Sequence, residues 1–349
     1  MSTIRAVLAW SFGILAALAC SVTLLSMIRS NQWWIRVLDF PRLLELLAIG
    51  FVALGCLLFL RRWRWPVLAA LALAAGWQAC RLWPYMPVAP AETALARHDA
   101  DPRSCFTVLG LNVLQSNRDY AATIAMIERE RPDVLLLMET DVRWATALAP
   151  VLSRYPHRLL RPIDNTYGMI FATRLSVKEA RMVAIFDRDI PTLYAQLETR
   201  AGRAFAYVGL HPRPPRPDLD TAVRDAKIER AALAVARSPL PAVAMGDFND
   251  VAWSHTTQLF KRVGGFMDPR AGRGSFATFP ARHVALGWPL DQLFVTPEFA
   301  VRRLDVLENV GSDHRPLAAA LCLMGTGADA TGTSKAARVN AREAVRSAR

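Results

Sequence analysis

Hydrophobic and polar positions divide the chain into a front region of long apolar runs and a longer stretch of short ones. Ala6–Ile28 contains no charged residue, and neither does Leu46–Leu60, which extends back to Leu43 across Glu45. Trp65–Cys80 is similar but shorter, with Arg81 placed to snorkel outward. At roughly 20 apolar residues per crossing, these runs predict about three transmembrane helices within residues 1–85. The first run also has the look of a cleaved signal, since "ALAC" at 17–20 resembles a lipoprotein cleavage site. "SVTLLSMI" continues the apolar run past Cys20, where a released chain turns polar, and this argues for a retained helix. Beyond the front region, strand-like runs appear at Phe106–Leu114, Asp133–Glu139, Tyr167–Ala172, Leu193–Glu198, Ala204–His211, Leu240–Gly246, Leu290–Val295 and Pro316–Leu323. Helical periodicity fits 119–130, 141–152 and 218–237. Strands outnumber helices and several are apolar on both sides, which predicts an α/β fold of two packed sheets flanked by helices, preceded by the membrane helices.

Residues 86–103 carry proline and small residues without a period and read as a linker between the membrane region and a domain at 104–324. As a flexible coil, about 20 such residues span only ~25 Å end to end. The tail 325–349 has almost no large apolar residue and reads as a disordered basic extension. Composition adds little to this organisation. Hydrophobic residues make up 53% of the 349 and the mean hydropathy is +0.19, an excess that the front region accounts for. The formal net charge of +12 divides as +4 over residues 1–102, +3 in the tail and +5 between them. That modest excess suits anionic substrates and falls short of the dense basic stripe of a duplex-binding protein. Three of the five cysteines lie in the apolar runs. Cys105 and Cys322 remain, a pair that can bridge but forms neither a disulfide framework nor a zinc spacing.

The chemistry gathers at strand ends. "VLGLNV" carries Asn112, "PDVLLLMET" runs into Glu139, "AYVGLHP" ends in His211, and "PAVAMGDFND" brings Asp247 and Asn249. "WPLDQLFV" holds Asp291 at a strand start, and "VGSDHRPL" holds Asp313 and His314 before the last strand. If these edges converge they form a cluster of carboxylates, amides and imidazoles, oxygen-rich donors of the kind that magnesium or manganese prefers.

"GLNVL", "LLLMET", "GLHP", "GDFND", "LDQLFV" and "GSDHRP", in this order, resemble the successive motifs of the endonuclease/exonuclease/phosphatase superfamily over about residues 104–324. The resemblance implies a two-sheet α/β sandwich and metal-assisted hydrolysis of a phosphate mono- or diester by activated water. It implies Glu139 as the main ligand of Mg2+ (or Mn2+), with Asn112 and Asp313 completing the site. It implies His314 as general base, held in one tautomer by Asp291. Asp247 would orient water, Asn249 would donate to a phosphate oxygen, and His211 would contact the scissile phosphate or protonate the leaving oxygen. Gly246 would allow close backbone approach. Arg213 and Arg216 in "HPRPPRP" are either anion clamps or a solvated loop, and Arg224 is either a structural ion pair or a substrate contact. Residues 271–280 read as a mobile loop near the cleft, with Trp288 beneath it.

Three functions compete on these residues. One is a phosphoesterase tethered to the lipid bilayer, acting on a lipid-linked or small anionic ester. The second is an anchored nuclease acting on DNA or RNA, against which little aromatic–basic interleaving appears. The third, an inactive binding module, conflicts with the filled catalytic positions. Three crossings of an inner membrane would place the domain outside the cytoplasm. Arg61, Arg62 and Arg64 in the second loop favour that orientation, while Arg29, Arg36 and Arg42 in the first oppose it.

Overall fold

The computed structural model describes residues 2–184, 189–217 and 219–324. The tail read as disordered lies outside these residues. The front region folds into α1 (Ser2–Ser26), the single turn α2 (Trp33–Arg36), α3 (Arg42–Phe59) and α4 (Arg64–Leu82). Helices α1, α3 and α4 pack together through Ala16, Ile49, Val52, Cys56, Leu71 and Ala74. Phe12 of α1 sits against Gly55, where any side chain would collide with its ring. The outward faces stay apolar and exposed, as at Leu18, Phe51, Leu54 and Leu73. Helices Thr3–Ser26 and Arg42–Phe59 are long and apolar enough to cross a membrane, by length and composition. A signal sequence or a core helix passes the same test. The third expected span forms a helix, α4, but is not among them.

At the end of this bundle nearest the rest of the chain, the helices carry a polar knot. Asp39 lies between Arg36 and Arg42, Arg42 donates to the Gln78 side chain at 2.6 Å, and Gln78 reaches Thr23 at 3.3 Å and Glu45. Buried charges survive when they are paired in this way. The knot continues into the following domain. The Trp253 indole donates to the Asp39 carbonyl at 2.6 Å, Arg36 donates to Thr256 at 3.1 Å, and Tyr85 donates to the Ala252 carbonyl at 3.0 Å.

Residues 86–103 are not a free coil. The Ala96 amide donates to the Val301 carbonyl at 2.8 Å, and the Val301 amide donates to the Ala94 carbonyl at 2.9 Å. Glu92 accepts from Lys261 at 2.7 Å and from the Asp268 amide at 2.8 Å, and Arg273 donates to Thr93. The flexible span expected from composition is replaced by a segment bonded along the domain. Its lack of periodicity reflects pairing with scattered partners rather than freedom.

Among the described residues, eleven strands follow. They are β1 (Cys105–Asn112), β2 (Val134–Met138), β3 (His157–Arg161), β4 (Met169–Thr173), β5 (Ser176–Ala184), β6 (Pro191–Glu198), β7 (Ala204–Leu210), β8 (Ala242–Asp247), β9 (Asp291–Val295), β10 (Phe299–Val306) and β11 (Leu317–Leu323). They form two sheets, ordered β10-β11-β1-β2-β4-β3 and β5-β6-β7-β8-β9. Phe106, Leu136, Met138, Phe171, Leu193, Phe205, Met245 and Leu293 fill the space between them. Helices α5 (Tyr120–Glu130) and α6 (Val142–Leu152) cover the outer face of the first sheet, and α7 (Ala222–Arg237) and α8 (His255–Gly264) cover the second. The expected α/β sandwich is the observed fold. Strands β3, β5 and β10 escape the sequence pattern because they are sheet edges with charged, exposed positions rather than continuous apolar runs. Helix α8 escapes it as well, although Ser254 caps it by accepting from the Thr257 amide at 3.0 Å.

Cys105 and Cys322 face each other across the β1–β11 pair and are disulfide-bonded, 217 residues apart in sequence. The link joins the first and last strands of the domain. Removing so long a closed loop costs about 2–5 kcal/mol. Cys105→Ser is therefore expected to lower the thermal midpoint of the oxidised protein by several degrees. Equal midpoints for wild type and variant would show that the bridge adds nothing.

Candidate active site

The two parallel pairs, β1–β2 in one sheet and β7–β8 in the other, run the same way in their sheets, so their C-terminal ends open onto one rim. Asn112, Glu139, His211 and Asp247 come from these four ends. The rim is held by bonds between the ends themselves. The Asn112 amide nitrogen donates to Glu139 Oε1 at 2.8 Å and to Asp247 Oδ2 at 3.1 Å, bridging the two sheets. Its oxygen accepts from the Leu114 amide at 3.0 Å. In this conformation Asn112 positions two carboxylates and does not turn its oxygen to the cleft. Glu139 also accepts from the Gln115 amide at 3.2 Å.

Glu139 (φ 61°) and Asn249 (φ 47°) both adopt left-handed backbone conformations that non-glycine residues rarely take. Such conformations persist where surrounding bonds over-determine them. The Asn249 amide donates to Asp247 Oδ1 at 2.9 Å, its side chain donates to the Pro212 carbonyl at 2.9 Å, and its own carbonyl accepts from Arg224 at 3.0 Å. Arg224 also pairs with Asp225, so it supports the "GDFND" turn as a structural residue. Gly246 (φ 146°) brings the backbone close to the Leu210 carbonyl of the neighbouring strand, where a Cβ would come within 1.9 Å. The close backbone approach expected of this glycine is made to the adjacent strand.

Asp291 lies beside Asp247 in the β8–β9 register. Its Oδ2 is 2.7 Å from His314 Nδ1, so the Nδ1–H donates to the carboxylate and leaves Nε2 facing the cleft. His314 Nε2 and His211 Nε2 each lie 3.6 Å from Asp247 Oδ2. The turn bearing His314 is tied to β1 by Ser312, whose hydroxyl donates to the Asn112 carbonyl at 2.7 Å and accepts from the His314 amide at 3.0 Å. Asp313 points to solvent, and its charge acts on both Glu139 and His314 without a direct bond to either. Arg213 lies over the Tyr167 ring at 5.6 Å, and Arg216 pairs with Leu219 in an isolated bridge.

Burial governs the charges. Desolvation raises the carboxyls of Glu139 and Asp247 against the hydrogen bonds that hold them. It lowers His211 to about 4, outweighing the pull of Asp247, so this imidazole is neutral over the working range. For His314 burial opposes charge most strongly of any single influence, yet Asp291 and Asp247 together with the Asp291 bond overcome it and lift the group to about 10.

The donor set suits a hard divalent cation. Glu139, Asp247 and Asp291 supply carboxylate oxygens, and Asp291 Oδ1 is buried with no hydrogen-bond partner. Asp247, Asp291 and His314 form the tightest grouping, with one ligand atom from each within 4.8 Å. The Asp291–His314 bond already engages that pair, which leaves it suited to moving a proton, and Glu139 to the cation.

Three neighbours were not legible in the sequence. Phe279 packs on the His314 ring with centroids 4.9 Å apart, Tyr167 packs on His211 at 5.3 Å, and Gln115 fixes Glu139. Only "FATFP", within the loop already assigned to the cleft, offered a signal for one of them.

A sandwich with this rim defines a hydrolase that activates water against a phosphate ester. The profile of the Endonuclease/Exonuclease/phosphatase family matches residues 108–314, and the chain belongs to that family, whose members are metal-dependent phosphoester hydrolases. No curated protein matches the chain. Among solved structures, D. rerio TDP2 complexed with single strand DNA product is 14% identical, with a TM-score of 0.53, covering 62% of this chain and 99% of its own. The human Nocturnin catalytic domain with bound sulfate anion is 19% identical, with a TM-score of 0.51, covering 64% and 96%. A Bacteroides vulgatus endonuclease/exonuclease/phosphatase is 17% identical, with a TM-score of 0.51, covering 63% and 99%. At these identities the likeness is one of fold.

The raised His314 makes a pH prediction for the chelated protein. A group raised in the folded state stabilises fully below its unfolded value, near 6.5, and loses that contribution as pH rises toward about 10. Wild type should therefore lose stability across this interval more steeply than His314→Gln, as read by urea unfolding at each pH. Parallel profiles would remove the Asp291–His314 charge pair from the account.

Proposed function

We propose that this protein is a membrane-tethered, metal-dependent phosphoesterase whose substrate is a phosphate ester presented at the bilayer surface, lipid-linked or small and anionic. The observation that carries this reading is a packed path from the helical region to the catalytic imidazole. Leu46 of α3 and Phe40 join the cluster around Trp253 and Leu290, Phe40 stacks on Trp288 at 6.1 Å, Trp288 packs on Phe279 at 6.2 Å, and Phe279 covers His314. Leu46 lies in the first turns of a helix apolar enough to cross a bilayer, so the cleft would lie beside the headgroup layer. Tethering there raises the effective concentration of a surface-bound substrate.

Glu139 would hold Mg2+ or Mn2+, with Asn112 steering the Glu139 carboxylate and Asp313 adding negative charge beside it. When bound, such a cation neutralises phosphate charge, lowers the pKa of a coordinated water and opposes protonation of His314. His314 takes the proton from the attacking water at Nε2, while Asp291 stabilises the imidazolium through Nδ1. Asp247 accepts a hydrogen bond from that water and orients it. Asn249 donates to a phosphate oxygen once its bond to Pro212 is exchanged. His211 is neutral, and so contributes a hydrogen bond to the phosphate rather than a standing charge.

Two features support a multi-pass protein with an extracytoplasmic domain. Helix α4 packs along α1 and α3 and brings Gln78 back to Thr23 and Arg42, so it retraces the length of any crossing those helices make. The Cys105–Cys322 bridge suits an oxidising compartment. A nuclease is the second reading, favoured by the single-strand DNA product carried by D. rerio TDP2.

The test is a hydrolysis screen of the full chain in lipid nanodiscs, with Mg2+, Mn2+ or chelator, over lipid phosphate esters, soluble phosphodiesters and oligonucleotides. Lipid esters should turn over fastest, and oligonucleotides turning over faster would install the nuclease reading. Glu139→Gln should lower turnover by about a thousandfold or more. Full activity in chelator would sink the metal. His314→Ala should cost orders of magnitude, and adding Asp291→Asn to it should cost little more, because the pair acts as a unit. Multiplicative losses would separate them. Protease added outside spheroplasts should digest residues 104–324. A domain protected until lysis would be cytoplasmic.

A further inference from the structure

A cavity of about 450 Å³ lies between the helical region and helices α7 and α8, which cover the second sheet, away from the catalytic rim. Its walls come from the end of α1 and the loop after it, from the Arg36–Arg42 knot, from the last turns of α4, and from the first turns of α7 and α8. Met27, Ile28 and Trp77 make one side apolar. The other side carries charge, and the two signs are not equally satisfied. Asp39 is shared by Arg36 and Arg42, and Asp225 is held by Arg224 at 2.8 Å. Glu229 is raised toward neutrality by burial and by Asp225.

The cations are less well met. Arg29 and Arg81 have no carboxylate partner among the described residues, and Arg81 lies over the Trp77 ring at 5.9 Å while donating to the Trp253 carbonyl. The Nε atoms of Arg36 and Arg81 are buried without a partner. His255 and Thr256 open α8, so the positive end of that helix also faces the cavity. His255 is lowered by burial and then by Arg29, Arg36, Arg262 and Arg81, four guanidinium groups acting on one imidazole. Asp39, Asp225 and Glu229 are the carboxylates that line the same cavity.

We infer that this cavity is a second, non-catalytic binding site for a phosphate-bearing anion, with Arg29, Arg81, His255 and the α8 N-terminus as its receptor. An apolar wall beside a cationic one suits a phosphate group attached to a lipid, and the site lies at the end of the bundle where a headgroup layer would meet the domain. Free phosphate has the same charge chemistry without the apolar part. The inference does not rest on the catalytic reading, because none of these residues touches the rim.

The experiment uses the full chain in nanodiscs of phosphatidylcholine with and without phosphatidylglycerol, and separately with inorganic phosphate. Retained lipid is counted by native mass spectrometry, and the His255 imidazole is titrated by NMR. Phosphatidylglycerol or phosphate should raise the His255 pKa, since an anion offsets the four arginines. Retention of phosphatidylglycerol that phosphate does not displace identifies a lipid headgroup, and displacement identifies the free anion. Arg29→Gln with Arg81→Gln should weaken binding by about tenfold or more, the scale of losing charge-assisted hydrogen bonds. Arg81→Lys should recover part of it. Glu139→Gln should bind like wild type, which separates this site from the catalytic one. An unmoved His255 in the wild type under both anions overturns the inference, whatever the stability of the variants.

Discussion

Asp247 carries a carboxylate that is 1% exposed and lies between two imidazoles and an asparagine amide. Keeping a charge in so dry a place demands donors from several directions, and no single strand can supply them. The sandwich answers by bringing β1 and β2 from one sheet to the same rim as β7 and β8 from the other. Asn112 then spans the gap between sheets, Asn249 turns its amide back, and Ser312 ties the His314 turn to β1. Each of these groups is fixed by its neighbours, so the rim is a closed set of mutual constraints. The left-handed backbone at Glu139 and Asn249 is where that closure is most costly, and it falls at the two turns that aim side chains into the cleft.

Desolvation disfavours the charged form of both histidines beside this carboxylate, yet the two end on opposite sides of their ordinary value. Both stand 3.6 Å from Asp247 Oδ2, yet His211 is left neutral while His314 is strongly favoured as the cation. The difference is Asp291, which lies at hydrogen-bond distance from one ring and not from the other. A single added carboxylate thus divides the labour of two otherwise similar groups.

Much of this was legible because buried strands write themselves as apolar runs. The runs ending in Glu139 and Asp247 and the one leading to His211 located their strands to within a residue or two, and the polar letter at each end marked the rim. Edge strands such as β5 left no such trace, since alternation there is broken by charged residues facing solvent. Phe279 was signalled only by its loop, and Tyr167 not at all as a neighbour of His211. Their roles depend on which ring each meets across a loop, and an aromatic residue in a loop looks the same whether it covers a histidine or fills a corner. The docking of 86–103 was hidden for a related reason. Glu92, Thr93 and Leu95 bond to partners some 170 to 200 positions away, a relation that local composition does not encode.

That docking changes what counts as the movable part of this protein. A family match that opens at residue 108 suggests a catalytic unit that could be lifted out and fused elsewhere. A cut there would strip Tyr85 and Leu82 from Val251, Ala252 and Trp253, take Glu92 from Lys261, and leave the Asp39 carbonyl no longer receiving the Trp253 indole. The unit that holds together is therefore larger than the span the family profile matches. It includes Leu82, Tyr85 and the segment 86–103, so a different N-terminal region could be joined to the catalytic domain only if these contacts were kept or rebuilt.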